Sequence, residues 1–175
     1  MIIECYHTLE NQGNPDYVER YGPFACSRKD AWLGTGYYFW DTNIQWAHEW
    51  GKVYANGYFI CQVSIQHDET IFDLYGNVSH MMAFTKAFEI LKSRVPPSDH
   101  AKILVRDVIE ALKKTGSFPY NGIRANHEHS RSLTVKFNSI RHEYLIINSP
   151  VQICLLNKKN LISQTFRIVF PEDYV

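Results

Sequence analysis

Residues 58–65 alternate along the chain, with Phe59, Cys61, Val63 and Ile65 falling on one side. That period of two predicts a half-buried strand. Ile2 to Tyr6 reads as a short first strand ending at His7-Thr8, and residues 70–74 as another short strand. Residues 9–30 are polar and carry Gly13, Pro15, Gly22 and Pro23, which predicts a long loop. Leu33 to Trp40 is a glycine turn opening into an aromatic strand. Thr42 and Gln45 have capping-box spacing and predict a short helix carrying Trp46, Ala47 and Trp50, with Gly51 as its stop. Over 79–93 the period changes, with Met81, Phe84, Phe88 and Leu91 recurring at helical spacing. Pro96-Pro97 interrupts the chain, and Ser98 is placed to cap a second helix. That helix turns Leu104, Val108 and Leu112 to one side and ends near Gly116. Beyond 119 strands return: a turn at 120–122 into a strand, then runs rich in Val, Ile, Leu and Phe at 132–137, 143–148, 151–156 and 165–170. Strands, then two helices, then strands predict an α+β fold with a largely antiparallel sheet.

Composition narrows the function classes. The chain has 175 residues with 45% hydrophobic and 21% charged positions, the profile of one folded domain, 1–175, with a real core. Its formal net charge is zero, so no bulk field draws it to nucleic acid or anionic membrane. The four cysteines, Cys5, Cys26, Cys61 and Cys154, are scattered without metal-binding spacing, and free thiols fit a reducing, cytoplasmic setting. No signal peptide and no membrane-length apolar run is visible; delivery into a target cell without a cleaved signal is the alternative. Aromatic residues are 14% of the chain, enough both to fill a core and to wall a site for a flat ring.

Three segments suggest chemistry: Tyr6-His7-Thr8, Gly34-Thr35-Gly36-Tyr37-Tyr38-Phe39, and Arg141-His142-Glu143-Tyr144-Leu145-Ile146-Ile147. Their order and spread resemble the His-Tyr-Glu class of ADP-ribosyltransferases, which includes the poly(ADP-ribose) polymerases and diphtheria-type toxins. The resemblance covers about residues 2–60 and 119–160 and implies a split, mainly antiparallel sheet with flanking helices and NAD as co-substrate. It assigns Glu143, His7 and Tyr38 as catalytic residues. NAD binding falls on His7, Thr8, Arg28, Gly36 and Tyr38, with Trp46 or Trp50 as a second aromatic wall. Breaking the nicotinamide–ribose bond develops positive charge on the sugar, as in glycoside hydrolysis, and a carboxylate such as Glu143 stabilises that charge. Glu143 also opens an otherwise apolar strand, where a charge needs a reason. Arg28, and after it Arg124, are cations placed to meet the pyrophosphate.

The resemblance implies mono-transfer of ADP-ribose to a protein or nucleic-acid acceptor by a toxin, effector or defence protein, with an inhibitory partner protein and no membrane. Thr8 and Leu9 stand where the family has glycine and serine. The same pocket is therefore also read as an NAD glycohydrolase or as an NAD/ADP-ribose-binding module without turnover. His127 and His129 motivate a third reading, a metal-dependent nucleic-acid enzyme; no metal ligands are assigned.

Overall fold

A computed structural model describes residues 1–116, 118–140 and 142–174, with the backbone alone at Ser163. The fold is α+β and mainly antiparallel. A seven-stranded sheet takes the order β4-β5-β8-β2-β1-β3-β9. Its strands are β1 (Ile2–Glu10), β2 (Tyr37–Asp41), β3 (Tyr58–Gln66), β4 (Ile71–Asp73), β5 (Gly122–Asn126), β8 (Val151–Leu155) and β9 (Leu161–Phe170). β6 (Leu133–Lys136) and β7 (Tyr144–Ile147) form a separate two-stranded ribbon. Only β4 and β5 pair in parallel among the described strands.

The sheet divides along its middle. β1 pairs with β2 at Cys5–Asp41 and Tyr6–Trp40. From His7 onward β1 follows β3 as far as Glu10–Tyr58, while β2 follows β8 from Trp40–Gln152 to Tyr37–Leu155. The two strands therefore part beyond Tyr6, leaving a fork between a β1-β3-β9 half and a β2-β8-β5-β4 half.

Strand alternation sorts side chains onto two faces. Cys5, Phe39, Cys61, Val63, Ile153 and Leu155 form one core with Val18 and Phe166. The other face carries two clusters: Tyr6, Trp40 and Ile60 with Trp46 and Ala47, and Phe72, Ile123 and Cys154 with Leu33 and Ile109. These lie under α2 (Ile44–Gly51) and α4 (Val105–Lys114) respectively. Burial pushes the Cys61 and Cys154 thiols up to about 12, so both stay protonated and inert.

Three expectations change. The loop expected over 9–30 holds the end of β1 and a helix, α1 (Pro15–Tyr21), started by its own proline and burying Val18. Seven residues are too few to show a helical period. The expected Thr42 cap is displaced to Asn43, whose side chain accepts the Gln45 N–H at 3.0 Å. The helix expected to start at Ser98 is a 3-10 turn over Pro97–Lys102; α4 starts only after Leu104, whose N–H meets the Asp107 carboxylate at 2.8 Å. Leu104, expected in the core, is consequently exposed. Finally, α3 (Val78–Lys92) exists as expected but buries no residue fully; it leans on α4 over a half-covered stripe.

Candidate functional site

His7 sits where the fork opens. Its ring is buried between Phe39 and Phe166, at centroid distances of 5.6 and 6.2 Å. Nδ1 lies 2.8 Å from the Tyr38 carbonyl. A carbonyl only accepts, so Nδ1 carries the proton. Burial lowers the pKa of His7, so the ring is neutral near pH 7 and Nε2 is an acceptor. One side chain thereby ties the two diverging strands together. Thr8, on the opposite face, donates its hydroxyl to the Ala47 carbonyl at 3.0 Å and fastens β1 to α2.

Beyond His7, the outer part of β1 and α1 border a cleft of about 340 Å³ lined by Leu9, Glu10, Gln12, Asn14, Tyr17, Val18 and Phe24. The Tyr17 and Phe24 rings stand parallel, 3° apart in plane and 5.9 Å between centroids.

Tyr38 lies on the face under the helices. Its hydroxyl accepts the Leu33 N–H at 3.0 Å and donates to the Gly34 carbonyl at 2.7 Å, while its ring leans on the Leu33–Cys154 cluster. Its hydroxyl is therefore spent on the glycine turn. Gly36 is there because β2 and β8 approach too closely for a side chain: a Cβ would stand 2.6 Å from both Cys154 Sγ and the Leu155 carbonyl oxygen.

Directly across from Trp40 on β8 is Gln152, on the same face as Tyr38. It is 8% exposed. Its Oε1 accepts the Trp32 indole N–H at 2.7 Å, and its amide nitrogen makes no hydrogen bond among the described residues. Trp32 and Trp40 meet it, and the other two tryptophans continue from Trp40. Trp40 and Trp50 are 6.3 Å apart, and Trp46 packs with Trp40. His127 meets Trp32 edge-on at 5.6 Å, and His129 meets Trp46 at 4.9 Å. Arg28 lies 5.8 Å over the Trp50 ring and grips Asp30 through two bonds of 2.9 and 2.6 Å. At the rim, Thr42 and Asn148 hold positive φ of 55° and 62°. That conformation strains a β-branched residue such as Thr42 and is typical of functional rims. The Asn148 carbonyl accepts the Trp46 indole N–H at 3.2 Å, and its side chain bonds Asn43.

Glu143 is elsewhere. It precedes β7 on the ribbon, its backbone carbonyl accepting the Phe137 N–H at 3.0 Å, and it is exposed. The apolar strand it opens is itself exposed on both faces, so the burial argument for a functional charge does not apply there. On the side away from β1, β2 pairs with β8. Arg141 of the same motif lies outside the described residues. Arg124 is committed elsewhere: its Nε is 2.6 Å from Asp41 and its Nη1 3.1 Å from Asp73, under the Tyr75 ring.

The structure thus brings His7, Tyr38, Thr8 and Gly36 to the fork, sets Trp46 and Trp50 beside Trp40 with Arg28 over Trp50, and leaves Glu143 on the ribbon. Sequence reasoning missed Gln152, Trp32 and Trp40. The signal for Gln152 was present: it is the one polar residue in Val151–Leu155, the same kind of signal that drew attention to Glu143.

The chain matches no protein-family model, and no curated protein or solved structure is significantly similar to it. Among the described residues, no three His, Cys, Asp or Glu side chains gather at metal-binding distance, and no helix is long and apolar enough to cross a membrane.

Proposed function

We propose that the protein binds NAD at the fork between β1 and β2 and transfers its ADP-ribose to an acceptor, releasing nicotinamide. The observation that carries this reading is the bond from His7 Nδ1 to the Tyr38 carbonyl. It joins the two motif strands at the mouth of the split and leaves a neutral Nε2 to accept a ribose hydroxyl. The adjacent cleft, with its parallel Tyr17 and Phe24 rings, suits the adenosine half of the dinucleotide. Trp32, held by Gln152, and the partly exposed Trp50 offer flat apolar surface for the nicotinamide ring. Glu143, exposed on the ribbon, is the carboxylate this reading assigns to the ribose.

A second reading, binding without turnover, is favoured by Gln152. A neutral amide faces the Tyr38 side of the fork, and an amide does not offset the positive charge that develops on the sugar during cleavage.

Incubation with nicotinamide-labelled NAD, with and without cell extract, separates the two. Transfer predicts nicotinamide release that falls by about 10²–10³-fold in Glu143→Ala, the range for loss of one charge-stabilising group. Release unchanged in that variant removes Glu143 from the mechanism. NAD binding by calorimetry without release supports the second reading. Absence of binding overturns both, as does a chelator-sensitive activity indifferent to NAD.

Under the second reading, Gln152→Glu is expected to gain nicotinamide release. It also loses stability, because a carboxylate enters a nine-tenths-buried position. A folded variant that binds NAD and still releases nothing counts against the amide as the reason for silence.

A further inference from the structure

The seven-stranded sheet ends on β4 and β9, and a helix side chain covers one N–H at each edge. At the β9 edge the Ile168 N–H donates to the Glu19 carboxylate of α1 at 2.8 Å. At the β4 edge the Leu74 N–H turns inward to the Arg124 carbonyl at 2.7 Å. The Asp73 N–H, one residue earlier, donates instead to His80 Nδ1 of α3 at 2.9 Å. Uncovered edge N–H groups invite pairing with another strand. The two covers differ in chemistry. An ionised carboxylate only accepts, whereas an imidazole nitrogen accepts only without a proton. His80 Nδ1 is therefore bare, and Nε2 carries the ring proton, which it gives to the Tyr120 hydroxyl at 3.2 Å. The start of α3 has few other anchors among the described residues. The helix buries no residue fully, and Val78 and Met82 are exposed. The His80 ring is half-buried, stacked on Phe72 at 4.9 Å and edge-on to Tyr120 at 5.1 Å.

We propose that the bond from Asp73 to His80 is an acid-released latch: a proton gained at Nδ1 sets two donors against each other and frees the first turns of α3 from the edge of β4. The Asp73 carboxylate is the charge nearest in effect. It is engaged by the Tyr75 and Gly76 N–H groups and by Arg124, with His67 Nε2 3.3 Å away. The charges of α4 are held elsewhere: Arg106 by the Lys29 carbonyl, Asp107 by the Leu104 N–H, and Glu110 by Lys113. Burial disfavours the charged ring and Asp73 favours it; burial is the larger effect, so the pKa of His80 is lowered. A histidine with a lowered folded pKa contributes stability above its unfolded pKa, about 6.5, and loses it as the pH falls towards the folded value. Here the loss falls on α3, whose remaining support is a half-covered stripe. Release uncovers Phe72, otherwise 2% exposed, and the β4 edge beside Arg124. This inference does not depend on NAD binding.

Two measurements test it. Nitrogen-15 NMR of the imidazole reads the tautomer. A proton on Nε2 is expected at pH 7.5, and a proton on Nδ1 at that pH overturns the latch without recourse to any variant. Hydrogen exchange, corrected for the intrinsic effect of pH on the chemistry, is compared at pH 7.5 and 5.5. In the opened state the ring titrates near 6.5, so at pH 5.5 its protonation favours opening by at most about tenfold. Amides of α3 are expected to lose severalfold in protection relative to those of β8, the sign of local opening. In His80→Asn the side-chain oxygen takes the place of Nδ1 as an acceptor that does not titrate. The extra α3 loss at pH 5.5 is expected to disappear in that variant, even where the helix is less protected throughout. Wild-type α3 protection that follows β8 at both pH values overturns the proposal. So does an equal extra loss in His80→Asn, which assigns the acid response to other groups.

Discussion

Arg124→Ala is expected to cost about 3–5 kcal/mol of folding stability, the range for breaking a buried ion pair from one side. The guanidinium bridges Asp41 on β2 and Asp73 on β4, whose side chains are 4% and 8% exposed. Removing it takes the cation away from both buried carboxylates; Asp73 keeps the Tyr75 and Gly76 N–H groups. Urea denaturation measures the loss, and a change under about 1 kcal/mol shows that water reaches the carboxylates. The pH dependence shifts as well. Burial alone raises the pKa of Asp73, but the Gly76 and Tyr75 N–H groups and Arg124 together outweigh it, and the net shift is downward. A carboxylate with a depressed folded pKa contributes stability above its unfolded pKa and loses it as the pH falls through the folded value. Wild-type stability therefore declines below about pH 4 through this group. In Arg124→Ala part of the depression disappears, so the contribution of Asp73 is smaller and its loss, which still begins near the unfolded pKa, is complete at a higher pH. NAD affinity is expected to change little where the variant remains folded, because the Nε and Nη1 groups of this cation are already engaged by protein carboxylates.

Phe39→Ala is expected to cost about 3–5 kcal/mol, through lost burial and the cavity left behind. Phe39 is fully buried in the core shared by both halves of the sheet. For a chain of this length that corresponds to a fall in Tm of about 10 °C. Its ring also stands 5.6 Å from the His7 ring, so the cavity opens beside the one side chain that ties β1 to β2. NAD affinity, measured below the melting transition, is expected to fall with stability. An unchanged affinity in a destabilised but folded Phe39→Ala protein argues that NAD does not depend on the placement of His7. Calorimetric titration and thermal unfolding on the same sample separate these outcomes.

How far the chain could be read depended on how local each signal was. Phe59, Cys61, Val63 and Ile65 alternate without interruption, and β3 lies where that alternation put it. β8 and β9 were equally plain as apolar runs. α1 was missed because one buried residue, Val18, makes no period. α4 was started too early because the spacing of Leu104 and Val108 resembles one helical face, whereas the Asp107 carboxylate caps the chain at Leu104.

The site divides in the same way. Tyr38 and His7 were recognisable as motif residues, and the structure places them at the fork. Glu143 was singled out by a charge opening an apolar strand, and that reasoning assumed the strand was core. In the fold the run Tyr144–Ile147 became an exposed ribbon, and the run after it, Val151–Leu155, took the place beside β2. Two apolar runs seven residues apart are equivalent to any local measure. Which one pairs with β2 is a non-local choice.

The sequence by itself determined the α+β class, the positions of most strands and the aromatic wealth of the site, because side-chain periodicity and turn chemistry act over a few residues. Tertiary structure alone decided that β1 and β2 part beyond Tyr6, that Arg124 is spent on Asp41 and Asp73, that Trp32 and Trp40 meet at Gln152, and that Glu143 lies outside the seven-stranded sheet. Each of these rests on partners scattered along the chain, brought together only when the strands take their order and the core closes over them.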